Sequence, residues 1–570
     1  MALSQLNNGS NVRFVRQYLG IEKYASSVFK DGANNSSMIA WQHIPGQKHV
    51  VYMSHNSYDY NGNEFFDTRK FPEKIMFHKT EQHEFLEKNN QFTDLNYINN
   101  SRHGTFQDTG KVHSIPQDVD RIIYHIKNNG IKKLLLHFHG GLISENMGMK
   151  SAETFCNNFV DSKDTHVVSI VWETGFLEAL PETFKRILQT DELLRRLIAK
   201  VVKLLGAKLG VDLTILDNRI LPHSIENYAN LIQSSTINLS EDDLVKAFRE
   251  YKRNIESELE LQNIIYNELQ EISEDEDLTE DDFNRIYKDD SENEAKFINP
   301  KILWYTAKIA KRCIIRFLNK RDHGVWPTII EEACREIYLD DFGIEIWNVM
   351  KFQAEDMWVP NDRATGLNQF AGRYLLDKLV QNFSNTDLEI HVVAHIAGAV
   401  AARKWVATIK SDNKYKSFKF KNLIFLAPAC RCDLFKDTVM KHQETFDNFR
   451  MFTMDDEYER TDNLIPFPVL GLLYTRSLLY LISGILEGKN ANEADAFILG
   501  LHRHIRKNHP YSKESILNEI SDFLMLPQNN VNRLILSKST EIEGRKSTAV
   551  KHGGFAKDIE IVNSIKYMLQ

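Results

Sequence analysis

Short apolar runs alternate with helix-forming segments along much of this chain. Runs of strand length lie at residues 132–142, 166–172, 390–393, 422–426, 448–454 and 533–536. Helix-forming stretches precede or follow these runs, such as residues 117–128 and 399–405, and a last helix is expected to end at Gln570. Strands that alternate with helices are typical of a parallel sheet covered by helices on both faces. We therefore predict an α/β fold with a mostly parallel sheet.

The spacing of these runs divides the chain into four parts. Residues 1–115 are polar and carry only short apolar runs, which predicts a β-rich and loop-rich extension. Residues 116–175 and 356–570 hold the predicted strands and form the two parts of one α/β core. Residues 176–355 have a helical pattern, so we expect an all-helical cap inserted into the core. Within the cap, the acidic stretch 271–294 has the composition of a solvated linker.

The most informative turn follows the apolar run at residues 390–393. Its sequence is Ala394-His395-Ile396-Ala397-Gly398, and a helix-forming segment comes next. A nucleophile elbow has the pattern Gly-x-Ser-x-Gly at a sharp turn between a strand and a helix. The small flanking residues suit a turn at which the backbone and a packed helix approach closely. Ile396 occupies the position at which such a turn carries its nucleophile.

Three further motifs lie on either side of this turn. Upstream, His139-Gly140-Gly141-Leu142 ends a predicted strand. Downstream, a strand is followed by the acidic residues Asp455, Asp456, Glu457, Glu459 and Asp462. Close to the carboxyl end, His552 stands in the sequence Lys-His-Gly-Gly-Phe, ahead of the last predicted helix.

In this order, the motifs resemble those of the α/β-hydrolase superfamily over about residues 120–180 and 360–570. The resemblance implies a serine nucleophile activated by a histidine base, which an acid orients, and an acyl-enzyme formed from an ester or amide. It assigns the base to His552 and the acid to Asp462, Asp456 or Asp455, a choice that stays open here. The amides of Gly140, Gly141, Leu142 and Ala397 would form the oxyanion hole. Removal of one such donor costs about 3–4 kcal/mol.

The chain departs from this pattern at Ile396, because an isoleucine side chain has no lone pair with which to attack a carbonyl. The nucleophile of an elbow usually has a positive φ angle, which costs a β-branched residue about 1–3 kcal/mol. The surrounding small residues and glycine loops are nevertheless all present. We infer that the scaffold was built for serine and that isoleucine replaced it recently. The competing interpretation is a natural pseudoenzyme that binds without cutting.

The predicted ancestral chemistry is serine-type hydrolysis of a carboxylic ester, most simply a lipid-like acyl ester, and the chain as written is expected to be inactive or nearly so. One alternative is a pseudoenzyme that acts as a ligand-binding or protein-interaction scaffold through its helical cap, and a second is a peptidase of the same fold. Two apolar segments bear on a lipid substrate. Residues 193–209 form a basic amphipathic stretch that could contact a membrane surface peripherally. Residues 464–486 are apolar but interrupted by two prolines and an arginine, which favours a buried helix.

Composition narrows the possible partners, cofactors and cellular location. The 570 residues have a net charge of −8 and no P-loop, zinc-finger or dinucleotide motif, so we expect neither a nucleic-acid partner nor a cofactor. The five cysteines lack the spacing of disulfides or of a zinc site, and His137 with His139, or His502 with His504, lacks a third ligand at fixed spacing. No metal is therefore predicted. The first residues lack the layout of a signal peptide, which makes the cytoplasm the expected location.

Overall fold

A computed structural model describes most of the predicted core. The described residues are 92–106 without 102, 112–172 without 141 and 142, residue 263, 300–337, 344–462 without 363, 474–487, and 494–570 without 529 and 530; near the amino end, the backbone course of three strands at 28–31, 37–44 and 47–54 is also given.

Two small antiparallel sheets lie outside the main sheet. Strands β1 (Val28–Asp31), β2 (Ser37–Ile44) and β3 (Gln47–Ser54) form a three-stranded sheet within the segment for which the sequence predicts short strands. Much later in the chain, β10 (Pro527–Gln528) and β11 (Val531–Asn532) pair with each other.

The main sheet has seven strands, and every neighbouring pair is parallel. This confirms the predicted α/β fold class. From one edge to the other, the order is β12-β9-β8-β7-β5-β6-β4. The strands are β4 (Tyr97–Asn100), β5 (Lys133–Phe138), β6 (Thr165–Trp172), β7 (Glu389–His395), β8 (Phe420–Leu426), β9 (Phe446–Met454) and β12 (Leu534–Ser537).

Helices connect and cover these strands. The longer ones are α1 (Pro116–Asn128), α2 (Glu145–Asn157), α3 (Pro300–Leu318), α4 (Val325–Ile337), α5 (Ile344–Asp356), α6 (Ala371–Phe383), α7 (Gly398–Ser411), α12 (Ser515–Met525) and α13 (Ile559–Met568). Shorter ones are α8 (Cys432–Phe435), α9 (Asp456–Thr461), α10 (Leu478–Leu481) and α11 (His502–Ile505). A 3-10 segment spans His552–Lys557.

Both faces of the sheet are buried, as expected for parallel strands. Successive residues of β5 show this: Leu134 and Leu136 pack into the core formed with α1, α6, α7 and α12, whereas Leu135 packs into the core formed with α2 and α13. All three leucines are completely buried. The sequence of a strand that is apolar on both faces is a continuous hydrophobic run. This is why the strands could be predicted from the sequence.

The sheet order reverses between β5 and β7, and this reversal sets the place of the site. After β5 the chain adds β6 on one side of it, and β7 then pairs with β5 on the other side. Open parallel sheets bind their ligands at the carboxyl ends of strands at such a point. Phe138, the last residue of β5, pairs with Ala394 near the end of β7. The turns that follow the two strands therefore lie side by side.

Part of the predicted cap falls outside the described residues, including residues 193–209 and 271–294. The described portion contains α3, α4 and α5. Of the apolar segment 464–486, residues 474–486 are described, and they include α10 and a buried π-helical turn, Ile482–Leu486. None of the described helices is both long and apolar enough to cross a membrane.

Candidate functional site

Ile396 occupies a sharp turn between β7 and α7 with an unfavourable backbone conformation. Its φ angle is +46°. For a β-branched residue, the left-handed region costs about 1–3 kcal/mol and persists only where neighbouring structure enforces it. Two hydrogen bonds do so: the amide of Ile396 donates to the carbonyl of Leu426 at the end of β8 (2.9 Å), and the amide of Ala429, in the segment after β8, donates to the carbonyl of Ile396 (3.0 Å).

The small residues around the turn are required by a close backbone approach. A Cβ atom added at Gly398, the first residue of α7, would lie 2.4 Å from the carbonyl oxygen of Phe138. That is far inside van der Waals contact, so only glycine fits where α7 crosses the end of β5. This is the physical reason for the small flanking residues that the sequence analysis singled out.

The Ile396 side chain is buried against the turn after β5. A Cβ atom added at Gly140 would lie 3.5 Å from Cδ1 of Ile396 and 3.8 Å from its Cβ. Only 6% of Ile396 is exposed. The isoleucine therefore fills the gap between the two turns, which a smaller side chain at position 396 would leave open.

The amide of Ala397, proposed from sequence as an oxyanion donor, already has an internal acceptor. It points at the carbonyl of Gly140 with an N···O distance of 3.4 Å, at the long end of hydrogen bonding. The carbonyl of Gly140 therefore occupies the direction in which an oxyanion would bind. Of the other three predicted donors, Gly141 and Leu142 lie outside the described residues, and Gly140 contacts Ala397 through its carbonyl.

His552 is buried beside this turn and is held at three points. Its backbone amide donates to Oδ2 of Asp462 (2.9 Å), and its carbonyl accepts from Nε2 of His395 (3.0 Å). Its ring donates from Nε2 to Oε2 of Glu459 over 2.8 Å. Since His395 is the immediate neighbour of Ile396, the structure brings the predicted base to the predicted elbow although 156 positions separate His552 from Ile396 in the sequence.

The carboxylate that meets the ring of His552 belongs to Glu459, one of the acidic residues that follow β9. Of the three acids that the sequence analysis chose, Asp462 binds the backbone of His552 rather than its ring. Asp456 accepts from the hydroxyl of Tyr480 (2.6 Å), and Asp455 accepts from the amide of Glu457 at the start of α9. These two are therefore engaged in holding the helix.

The sequence analysis named Glu459 among the acidic residues but did not select it as the acid, because it predicted no helix in this stretch. Residues 456–461 instead form a helical turn, in which residues three apart share a face. Glu459 and Asp462 have that spacing, and both carboxylates reach His552. The i, i+3 pairing of two acids is the signal that could have identified Glu459.

A network of buried hydrogen bonds holds α9, the helix that carries Glu459, in place. Ser477 donates from its hydroxyl to the same Glu459 oxygen that binds His552 (2.5 Å). Tyr480, which binds Asp456, accepts in turn from Arg503 (3.0 Å). Arg503 also donates to the carbonyl of Asp322, which lies between α3 and α4. Helix α9, which carries Glu459, is thus connected to the turn between α3 and α4 through hydrogen bonds between buried groups.

Electrostatics distinguish the two histidines of the site. Burial opposes protonation of His552, but the attraction of Glu459, its hydrogen bond and the charge of Asp462 together raise the pKa of His552 above its ordinary value. At His395, burial prevails over the hydrogen bond to the His552 carbonyl and lowers the pKa to about 4. His395 is therefore neutral at pH 7, with its proton on Nε2, because the carbonyl can only accept.

The second ring nitrogen of His552 is buried and has no hydrogen-bond partner among the described residues. One ring nitrogen is bound to a carboxylate and the other is open, as in a general base, but the two atoms are exchanged relative to a Ser-His-Asp triad, in which the acid binds Nδ1 and Nε2 faces the nucleophile. The site holds His552 through Glu459, Asp462 and His395, the residue before position 396. It cannot form a covalent bond through Ile396.

His139 serves the core rather than the site. Its Nε2 accepts from the backbone amide of Trp172 (3.1 Å), and its ring stacks on the Trp172 indole. Burial and the nearby His395 lower the pKa of His139 to about 3. His137 is likewise buried, within hydrogen-bonding distance of Ser169, and stacks on Phe155. Among the described residues, no group of three or more His, Cys, Asp or Glu side chains could hold a metal ion.

Comparison with known proteins adds no relative. No family model matches the chain, and no match emerged from the curated proteins or from the solved structures. A functional assignment therefore depends on the turn at Ile396 and on the contacts of His552.

Proposed function

We propose that this chain has an α/β-hydrolase core whose ancestral activity is serine-type hydrolysis of a carboxylic ester, and that Ile396 silences it. The observation that supports this most is the positive φ angle of a buried isoleucine between β7 and α7. A positive φ angle at the nucleophile position is a feature of elbow turns, and Ile396 differs from Ala427, which has a φ angle of +41° after β8, in being β-branched.

The contacts of His552 support the same proposal. A nucleophile elbow needs a base beside it and an acid behind the base, in the chain order nucleophile, acid, histidine. Ile396, Glu459 and His552 follow that order. Glu459 binds His552, and His552 is bonded through its carbonyl to the neighbour of Ile396. Either an aspartate or a glutamate serves as the acid in this fold.

The proposed reaction requires a hydroxyl at position 396. In an Ile396→Ser variant, the serine oxygen would attack the ester carbonyl while the open nitrogen of His552 takes its proton. The protonated His552 would then give that proton to the leaving alcohol, and Glu459 would stabilise the imidazolium. Water, deprotonated by the same nitrogen, would hydrolyse the acyl-enzyme and restore the serine.

The oxyanion would need the amide of Ala397. This amide now faces the carbonyl of Gly140 at 3.4 Å, a long contact that costs little to break. Since Ile396 packs against Gly140, a smaller residue at 396 would also leave the glycine turn free to move. The proposal therefore includes a shift of that turn when a substrate carbonyl binds.

A lipid-like acyl ester remains the proposed substrate, with the helical segment 176–355 as a cap that would select it. This part of the proposal derives from the apolar and amphipathic character of residues 193–209 and 464–486. A peptidase would use the same catalytic groups, so substrate profiling must separate the two.

A pseudoenzyme is the second candidate, and Ile396 itself favours it. The isoleucine is well packed, and the histidine, acid and glycine turn around it are intact. A protein that binds a ligand or a protein partner near this turn without turnover would show the same contacts around Ile396 and His552.

Ester hydrolysis by the Ile396→Ser variant tests the proposal. We expect hydrolysis of p-nitrophenyl esters by this variant, with longer acyl chains preferred over acetate, and a rate close to background for the unchanged chain. An Ile396→Ala variant opens the same space without a hydroxyl and is the matched control. Hydrolysis of peptide substrates in place of esters would favour the peptidase. A folded serine variant without any hydrolase activity would favour the pseudoenzyme.

A further inference from the structure

A cluster of arginines lies at the β12 edge of the main sheet, away from the elbow. Arg450 is in β9, Arg533 directly precedes β12, and Arg545 is in the segment that follows β12. Strand β8 separates β7 from β9. Because neighbouring strands are about 4.8 Å apart, β9 and β12 are roughly 10 and 14 Å from the strand that carries the elbow.

Backbone carbonyls hold two of these guanidinium groups side by side. Arg450 donates from Nη1 to the carbonyl of Asn532 (2.8 Å), and Arg545 donates from Nη2 to the carbonyl of Leu534 (3.4 Å). The two acceptors are two residues apart and flank Arg533. The guanidinium of Arg533 itself lies 4.0 Å from the ring centroid of Phe523 and donates to the Phe523 carbonyl.

Most of the hydrogen-bonding capacity of Arg450 and Arg545 is unused. A guanidinium has five N–H donors, and among the described residues each of these side chains makes one bond, to a carbonyl. The Nε atoms of both are buried and have no hydrogen-bond partner in that part of the chain. Within the described part of the chain, no carboxylate lies within 4 Å of either guanidinium, the distance that defines the ion pairs found elsewhere in it.

Among the described residues, the charges of Arg450 and Arg545 therefore have no carboxylate partner. Burial, followed by repulsion from Arg545 and Arg533, lowers the pKa of Arg450 to about 10. An arginine stays protonated at neutral pH even so, and placing like charges together away from water is unfavourable. Shielding the carbonyls of an edge strand would require no more than one of these cations. The excess of positive charge indicates an anion.

We propose that Arg450 and Arg545, with the charge of Arg533 beside them, bind a phosphate group. Guanidinium groups form paired, charge-assisted hydrogen bonds with phosphate oxygens, and a phosphate dianion matches two to three positive charges. Every contact that defines this site involves residues other than Ile396, His552 and Glu459. The site thus does not depend on the proposed hydrolase activity.

Titration of the full-length chain with inorganic pyrophosphate, followed by calorimetry in moderate salt, tests the proposal. We expect saturable binding of one pyrophosphate per chain, weakened by added salt. Arg450→Gln and Arg545→Gln should each reduce the affinity about tenfold or more, since each removes charge-assisted bonds. Arg121→Gln is the matched control, because Arg121 already pairs with Asp94 and Asp118. The affinity of this variant for pyrophosphate should equal that of the unchanged chain.

Sedimentation with phosphatidate-containing vesicles distinguishes a lipid-borne phosphate group from a soluble one. Sedimentation that Arg545→Gln abolishes would assign a lipid headgroup, whereas pyrophosphate binding alone would assign a soluble ligand. Absence of binding in both assays would overturn the proposal. So would pyrophosphate binding that Arg450→Gln and Arg545→Gln both leave unchanged, which would mean an adventitious ion only. Arg545→Gln decides the matter if Arg450→Gln does not fold, because Arg545 lies in an irregular segment rather than in a strand.

Discussion

Nε2 of His552 donates to Oε2 of Glu459 over 2.8 Å, and both side chains are buried. Asp462, one helical turn beyond Glu459, holds the backbone of the same histidine. A short acidic helix thereby fixes both the ring and the main chain of the histidine. A buried His–carboxylate contact also occurs between His323 and Glu331 (2.8 Å), so what distinguishes His552 is its bond to His395, the residue before Ile396.

Glu459 is predicted to be the acid of the proposed hydrolase. In the Ile396→Ser background, Glu459→Gln should lower esterase activity by about 10²–10⁴-fold, because the imidazolium would lose its stabilising charge. Asp455→Asn removes an acid from the same helix without touching His552, so it should leave most of the activity. Steady-state kinetics on p-nitrophenyl esters provides the comparison. Equal losses in both variants would show that the helix acts only structurally.

The strain at Ile396 predicts an unusual stability effect. Ile396→Gly and Ile424→Gly remove the same side chain from buried positions on neighbouring elements. Truncation of a buried isoleucine costs about 2–5 kcal/mol, but glycine also relieves about 1–3 kcal/mol of strain where φ is positive. Ile396→Gly should thus destabilise the protein less than Ile424→Gly by about 1–3 kcal/mol in urea unfolding. An equal or larger loss at position 396 would mean that the turn is not strained.

Gly398 is predicted to tolerate no side chain. Its added Cβ would meet the Phe138 carbonyl oxygen at 2.4 Å, so Gly398→Ala should destabilise the fold by about 1–3 kcal/mol or more through overpacking. Gly553→Ala is the control, since nothing lies within 4 Å of a Cβ atom there. Thermal unfolding midpoints should separate the two variants clearly. A midpoint for Gly398→Ala equal to that of the control would contradict the close approach of α7 to β5.

Stability should depend on pH through His552 in a defined direction. The pKa of His552 is raised in the folded protein. Its contribution to the free energy of unfolding is therefore fully present below the pKa of histidine in the unfolded chain, about 6.5, and is lost as pH rises through the pKa of the folded state. His552→Gln should therefore destabilise the protein more at pH 6 than at pH 8.5. Unfolding free energies at the two pH values decide this. A loss of unfolding free energy in His552→Gln that grows with pH would mean that His552 is neutral in the folded protein.

Much of the fold could be predicted from sequence because its strands are apolar on both faces. The runs at residues 166–172 and 422–426 became β6 and β8 almost residue for residue. Strand β4 was not assigned to the main sheet, because Tyr97–Asn100 is short and includes two asparagines. Its place at the sheet edge comes from pairing with β6, which is a tertiary contact and leaves no local pattern.

The site was predicted less completely than the fold. The turn at Ile396 followed from the small residues that a close backbone approach requires, and the position of His552 near the carboxyl end followed from the order of the motifs along the chain. The choice among acids could not follow, because it depends on the direction in which α9 presents its side chains. The contact between the Ala397 amide and the Gly140 carbonyl was equally beyond sequence reasoning. Both depend on tertiary packing.

We propose that a working hydrolase site lies behind Ile396. Reaction with a fluorophosphonate probe, measured as covalent labelling by intact-protein mass spectrometry, tests it most directly. We predict one label per chain in Ile396→Ser, much less when His552→Ala is added, and none in the unchanged protein. No labelling of a folded Ile396→Ser variant, or labelling that persists without His552, would contradict the claim.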